Sequence, residues 1–272
     1  MKRLILAASA LLAVAGCHGA RLDGFLYAPV TTDDYMLPAN ATELTIASTD
    51  GVTLHAAYVR GTEPFTLIYC HGQGGDITDS WPRIELLEPL GYNLLIWDYR
   101  GFGRSTGTPS ERGIHDDEEA LWNAVVAMAG VDAARLVYYG RSFGGAPCID
   151  LASRHAPAAL VEESTFTSVD ALVEDGAYVD LPRSYVADDS WNSLAKMPLL
   201  GAVPLLALHG AADDYVQPKY SQQLAAAHPG LTKLVLVPGA DHSNVPDKMG
   251  FDDYRATVDA FVRAATSSAP AP

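Results

Sequence analysis

Short continuous apolar runs recur along the chain at Thr66–Cys70, Asn93–Trp97, Leu136–Tyr139, Ala158–Val161, Pro204–Leu208 and Lys233–Val237. Each is too short for a helix and apolar after at most one polar opening residue, the pattern of a strand covered on both faces. Between these runs the period lengthens. Trp81–Leu90 reads as a helix, with Pro82 tolerable in its first turn. Ile114–Ala129 reads as another, in which Leu121, Ala124, Val125 and Met128 make one face, and Asp116, Asp117, Glu118 and Glu119 crowd a first turn where the helix dipole favours negative charge. Ala146–Ala152 and about Asp247–Ala265 are helical too, the latter with Phe251, Tyr254, Val258 and Phe261 at helical spacing. Strand–helix alternation of this kind predicts an α/β fold with a mostly parallel central sheet and helices on both faces. Ahead of it, Leu44–Ser48 and Val52–Val59 flank Asp50-Gly51, which predicts an antiparallel N-terminal hairpin. No internal repeat and no second domain are visible.

One interval breaks the rhythm. Ser164–Val203 separates two predicted strands, and a structureless loop of that length is unusual. Val169–Val173 and Ser190–Met197 can form short helices there, so residues 164–203 read as a small cap insertion. Its apolar residues Leu172, Val173, Leu181, Trp191 and Leu194 can either line an acyl pocket or form the cap's own core.

The two ends have a different character. Lys2 and Arg3 precede the apolar run Leu4–Val14, too short to span a bilayer, and Val14-Ala15-Gly16-Cys17 follows. This resembles a bacterial lipobox, in which Cys17 is acylated and becomes the mature N-terminus. An ordinary signal peptide cut after Ala13-Val14-Ala15 is the alternative. The expected organisation is a signal peptide over 1–16, a tether over 17–40 whose Phe25, Leu26 and Tyr27 dock on the body, a domain over 41–265, and a disordered tail over 266–272. By the lipobox resemblance the chain belongs to the cell envelope, lipid-anchored, with His18 after the Cys implying the outer membrane facing the periplasm. A length of 272 residues with 49% hydrophobic content suits one large α/β domain. A net charge of −15 excludes nucleic acid as a natural partner. Cys70 and Cys148 lie in apolar stretches and read as buried thiols; an exported location permits a disulfide between them.

The candidate chemistry centres on Gly140-Arg141-Ser142-Phe143-Gly144, placed between a predicted strand and a predicted helix. This matches the Gly-x-Ser-x-Gly nucleophile elbow, whose glycines give room for a sharp turn that projects the Ser142 hydroxyl above the sheet. Three further stretches lie in order around it: His71-Gly72-Gln73-Gly74-Gly75, Asp98-Tyr99-Arg100-Gly101-Phe102-Gly103-Arg104-Ser105, and His209-Gly210-Ala211-Ala212-Asp213-Asp214-Tyr215-Val216. Together they make the chain resemble the α/β-hydrolase family from about Leu44 to Ala265, nearest to its serine-aminopeptidase-like, Bem46-like and depalmitoylase-like branch.

That resemblance implies a fold and a set of roles. The family orders its triad Ser, acid, His along the chain. The pattern H-G-x-x-D-x-x-V assigns the acid to Asp213 rather than Asp214. His242, in Pro238-Gly239-Ala240-Asp241-His242 after the last strand, is the base, and His228 reads as an exposed helix-end residue. The oxyanion hole is assigned to the backbone N–H of Phe143 and, by resemblance, that of Gln73. His71 and His209 read as structural, as do Asp98, Arg100 and Ser105, with an Asp98–Arg100 pair bracing its turn. The expected activity is cleavage of a carboxylic ester or thioester of a small-molecule or lipid acyl substrate. No cofactor is needed and no metal-ligand spacing is present. A peptidase would instead want carboxylates for an α-ammonium group, for which Glu162, Glu163, Glu174 and Asp175 are candidates or else surface charges. A catalytically silent envelope binding protein is the third reading.

Overall fold

Alternation along each central strand sends neighbouring side chains into two separate cores. The computed structural model describes residues 26–31, 36–175 and 190–267. Among them the strands are β1 (Ala28–Pro29), β2 (Ala41–Ala47), β3 (Thr53–Val59), β4 (Thr66–Cys70), β5 (Gly74–Gly75), β6 (Asn93–Trp97), β7 (Leu136–Arg141), β8 (Ala159–Glu163), β9 (Leu205–Gly210) and β10 (Thr232–Val237). The helices are α1 (Ile77–Leu87), α2 (Glu111–Val126), α3 (Gly145–Arg154), α4 (Val169–Glu174), α5 (Ser193–Lys196), α6 (Lys219–Ala227), α7 (Val245–Met249) and α8 (Phe251–Ser267). The main sheet runs β10-β9-β8-β7-β4-β6-β3-β2. From β10 to β6 neighbouring strands are parallel, and β3 and β2 continue as an antiparallel hairpin. In β4, Ile68 and Cys70 join the core with α2 and α3, while Leu67 and Tyr69 join the core with α1 and α8. Each such aliphatic side chain, fully buried, contributes roughly 1.5–3 kcal/mol, which is why these strands tolerate no polar face.

The helix starts correct the sequence reading in an informative way. Helix α1 begins at Ile77, not Trp81, because the Asp76 carboxylate accepts the N–H groups of Thr78 and Asp79 while Asp79 accepts that of Asp76. Pro82 therefore lies in the second turn. Helix α2 begins at Glu111 under a Ser110 cap, so the acidic run Asp116–Glu119 is not first-turn chemistry. Asp117 is buried and takes a two-pronged bond from Arg100, with both Nε and Nη2 at 2.7 Å. Arg100 is thus paired with Asp117 rather than braced on Asp98, whose Oδ1 accepts the Ile77 N–H at 2.9 Å. Glu118 and Glu119 pair with Arg154 of α3.

The N-terminal segment does dock. Leu26 and Tyr27 are buried, β1 pairs in parallel with β5, and the Gly103 N–H donates to Val30 O at 2.7 Å. Phe25, Cys17 and the rest of residues 1–25 lie outside the described residues. The insertion contributes α4 and α5, with α5 followed by a helical turn over Met197–Leu200. Leu172 and Trp191 are buried in the main core, Val173 packs partly against it, and Leu194 is exposed; Leu181 lies outside the described residues. At the C-terminal end Gly250, at φ 82°, separates α7 from α8. Helix α8 continues through Thr266 and Ser267, which the sequence places in a disordered tail. Residues 268–272 lie outside the described residues. No described helix is long and apolar enough to cross a membrane.

Candidate active site

Three loops at the C-terminal edge of the parallel strands carry the chemistry-bearing residues. The first is the turn from β7 into α3. A Cβ at Gly144 would lie 2.0 Å from Cys70 O, and one at Gly145 would lie 2.0 Å from Thr165 Oγ1, so both positions require glycine by close approach. Ser142 between the strand and the helix holds φ at 54°, a left-handed conformation that a non-glycine residue adopts only when its surroundings enforce it. Unlike α1, helix α3 has no side-chain cap at its start; a helical turn over Ser142–Gly144 leads into it, and the Gly145 N–H donates back to the carbonyls of Ser142 and Phe143.

The second loop follows β9. Backbone bonds tie it to the exit of β10: Ala211 N–H to Val237 O at 2.9 Å and Ala212 N–H to Ala240 O at 2.9 Å. They bring Asp213 to the rim, where its Oδ1 accepts the N–H groups of Tyr215 and Val216 at 3.0 and 2.8 Å. Asp214 beside it is exposed. The third loop follows β10 and carries His242. It is closed by a reciprocal pair that the sequence reading missed. Asp241 accepts the N–H groups of Ser243 and Asn244, and Asn244 Oδ1 accepts that of Asp241. The signal was an Asp and an Asn three residues apart.

These loops bring Ser142, Asp213 and His242 together. His242 Nδ1 lies 2.8 Å from Asp213 Oδ2, and His242 Nε2 lies 2.9 Å from Ser142 Oγ. A carboxylate can only accept, so Nδ1 carries the proton and the Nε2 lone pair faces the serine hydroxyl. Burial by itself would raise the Asp213 carboxyl. Hydrogen bonds from His209, His242 and the Val216 N–H outweigh it and hold the group well below the usual carboxylate range, so it stays ionised. The Tyr215 ring packs edge-on against His242 with centroids 5.0 Å apart.

The loop with Gln73 lies alongside. A Cβ at Gly72 would come within 4.0 Å of Ser142 Cβ. Its carbonyls are held from three directions: His71 O by the Tyr99 hydroxyl at 2.7 Å, Gly72 O by His71 Nδ1 at 2.8 Å, and Gln73 O by the Ala28 N–H at 2.9 Å. In the trans peptide that joins Gly72 to Gln73, the Gln73 N–H points away from the carbonyl that His71 holds. Burial pushes the His71 imidazole down to about 4, so it is neutral and works on the backbone. His209 Nε2 donates to Val216 O at 2.7 Å, which shapes the loop around Asp213. Ser105 is likewise built in, its hydroxyl donating to Asp98 O at 2.7 Å.

Other expectations fare differently. His228 is at the end of α6, but buried rather than exposed, with Nδ1 2.8 Å from Thr232 Oγ1. Glu162 and Glu163 are neither cap residues nor surface charges; they are the buried last two residues of β8. Asp175 is held by Lys219 and Tyr220, and Glu174 is exposed. Cys70 and Cys148 are buried free thiols, and burial together with the neighbouring Cys70 pushes Cys148 well up. Among the described residues one trio, His115, Glu118 and Asp150, has the ligand types for a metal ion. Arg154 and Lys196 already pair with its carboxylates, which leaves no net negative site for a cation.

The strand order, the elbow and the loop placement are those of an α/β-hydrolase, and the chain belongs to that family: residues 66–177 match its fold model. The chain is 30% identical to YfhR, an uncharacterized protein of Escherichia coli K12, over 238 residues covering 84% of this chain and 82% of the relative. It is 35% identical to the uncharacterized protein Rv2307c of Mycobacterium tuberculosis over 247 residues, 89% of this chain and 84% of the relative. Among solved structures, the Pyrococcus furiosus esterase Pf2001 superposes with a TM-score of 0.71 at 19% identity, covering 88% of this chain and 99% of the esterase. XC6422 of Xanthomonas campestris, described as an a/b serine hydrolase without lid, gives 0.62 at 21% identity, covering 87% of this chain and 100% of that one. At such identities the solved structures share the fold with this chain.

Proposed function

We propose that the chain is a serine hydrolase that cleaves a carboxylic ester or thioester through an acyl-enzyme. The observation that carries this reading is the unbroken hydrogen-bond chain from Asp213 through His242 to Ser142, with the serine held at a positive φ. Ser142 Oγ attacks the substrate carbonyl carbon as His242 Nε2 takes the hydroxyl proton. Ionised Asp213 keeps the imidazole in the tautomer that makes this possible and stabilises the imidazolium that results. The negative charge on the former carbonyl oxygen is met by the N–H groups of Phe143 and Gln73. Collapse breaks the bond to the leaving group, which departs as an alcohol or thiol carrying the proton from His242. Water then attacks the acyl carbon with His242 again as base, releasing the acid and restoring Ser142.

Ester or thioester is favoured over peptide by what has become of the candidate carboxylates. Glu163 is ion-paired, Glu162 is buried without a cation, and Asp175 is engaged by Lys219. Of the four candidates, that leaves Glu174, exposed near the end of α4, to hold an α-ammonium group. We assign Cys17 as a lipid-modified residue that anchors the enzyme in the bacterial envelope, with 1–16 as its signal peptide. The substrate is then a small-molecule or lipid acyl compound.

The test is fluorophosphonate labelling with parallel hydrolysis of acyl nitrophenyl esters and aminoacyl anilides. The native protein should label and turn over the esters. Ser142→Ala should lose labelling and at least about 10⁴-fold in kcat while staying folded. Undiminished ester hydrolysis by Ser142→Ala would remove the nucleophile assignment, and faster turnover of anilides than of esters would replace the substrate class. Incorporation of labelled palmitate that survives in Cys17→Ala would remove the lipidation site.

A further inference from the structure

His242 sits on an exposed turn, and its two ring hydrogen bonds do not by themselves fix where the backbone holds the ring. The face of the sheet under α1 and α8 supplies the missing restraint. Glu163, at the end of β8, is fully buried. Its Oε2 accepts the hydroxyls of Tyr139 at 2.6 Å and Tyr254 at 2.8 Å. Its Oε1 is held by charge, with Arg83 Nη1 at 3.1 Å and Arg141 Nε at 3.7 Å. Each arginine has a second attachment. Arg141 Nη2 donates to His242 O at 3.2 Å, and Arg83 Nη2 donates to Ser243 O at 2.5 Å. Arg141 is also the residue immediately before Ser142. One buried carboxylate thus joins the chain position next to the nucleophile to the two carbonyls that follow the His242 ring.

We propose that Glu163, acting through Arg141 and Arg83, is a positioning network that sets the His242 imidazole against Ser142. The proposal rests on the reading of His242 as the general base. Arginine suits the task because its planar fork can meet a carboxylate with one edge and a carbonyl with another, while remaining charged. Glutamate suits it because two half-buried cations need a counter-charge that their loop carbonyls, being neutral, do not provide. None of the three side chains is assigned a contact with the substrate; they act on where the base is held.

The consequence is a kcat effect without a matching KM effect. Small displacements of a catalytic group lower rates by up to about 100-fold. Arg141→Gln and Arg83→Gln, purified as full chains and matched to the native protein by melting temperature, should each lose about 10- to 100-fold in kcat on an acyl nitrophenyl ester. KM should stay within about threefold, because the loss is in the placement of the base and not in ground-state binding. Fluorophosphonate labelling of Ser142 should slow in the same proportion as kcat. Arg141→Lys, which keeps the charge and one donor, should recover part of the loss. Guanidinium ion should raise kcat of Arg141→Ala where sodium at equal ionic strength does not. Glu163→Gln should lose activity to a similar degree, and its combination with Arg141→Gln should fall well short of the product of the two effects. If Glu163→Gln fails to fold, the arginine variants decide. Folded Arg141→Gln and Arg83→Gln with kcat within about twofold of native, beside an inactive Ser142→Ala, would overturn the brace while leaving the hydrolase intact. An active Ser142→Ala would overturn both.

Discussion

Glu162 and Glu163 are consecutive, both buried, and on opposite faces of the same strand. Their ionisation runs in opposite directions. Glu162 faces the start of α3, where a Cβ at Gly145 would lie 2.2 Å from its Oε2 and where Thr165 Oγ1 donates to it at 2.8 Å. Burial, with no cation nearby, pushes its carboxyl well above the ordinary range. Glu163 is desolvated as fully, but the charges of Arg83 and Arg141 and the hydroxyls of Tyr139 and Tyr254 outweigh burial and hold it below the ordinary range. Burial depth therefore does not decide the state of an acid in this molecule; the supply of partners does. The same contrast separates two jobs. Glu162 packs behind the turn that strains Ser142, and Glu163 sits at the centre of the charged network reaching the His242 loop.

The largest expected effect breaks the charged side. Glu163→Leu leaves two arginines without their buried counter-charge and should lower unfolding free energy by about 3–5 kcal/mol in urea titration. A loss under about 1 kcal/mol would mean that the arginines find water instead. Next comes the crowded side. Gly145→Ala drives a methyl into Thr165 and Glu162 and should destabilise by about 1–3 kcal/mol while slowing fluorophosphonate labelling of Ser142.

The pH dependence sharpens the contrast further. Because the native pKa of Glu163 is lowered, its contribution is present above the ordinary carboxylate pKa and is lost as pH falls through the native value. Because that of Glu162 is raised, its contribution is present below the ordinary pKa and is lost as pH rises toward the native value. Relative to native protein, Glu163→Gln should therefore lose its disadvantage on acidification, and Glu162→Gln should gain on alkalinisation. One proton limits either slope to about 1.4 kcal/mol per pH unit. Unfolding titrations that run from below the ordinary carboxylate range up to about pH 9 read both, and parallel slopes for the two variants would erase the distinction. The smallest effect is Glu162→Gln at neutral pH, where an amide oxygen can still accept from Thr165 Oγ1: within about 1 kcal/mol of native.

Much of the architecture was legible in the sequence. Thr66–Cys70 and Asn93–Trp97 are strands with the bounds their apolar runs predict, and the hairpin forms around Asp50-Gly51. A strand covered on both sides is apolar along most of its length, so composition marks it, and the polar residues that open these two, Thr66 and Asn93, bond to each other. The residues now within hydrogen-bond reach of one another, Ser142, Asp213 and His242, were picked out by motif, because a sharp turn and close backbone approach leave glycines in the text of the chain. What was misread were charges. Asp117 looked like helix-start chemistry and is instead the partner of Arg100; Glu162 and Glu163 looked like cap carboxylates and are strand-end core residues. A polar letter does not announce whether it faces water or an arginine brought from 80 residues away, as Arg83 is for Glu163.

The order of apolar runs and glycines by itself determined the sheet, its covering helices and the position of a serine on a strained turn. Those follow from local sterics and from the removal of hydrocarbon from water, which each segment expresses in its own composition. Only the tertiary structure decided in which direction each buried carboxyl is shifted, which cations are paired, and how the turn bearing His242 is held. Those depend on the dielectric and the neighbours at a point in space, and the distances that set them are not written along the chain.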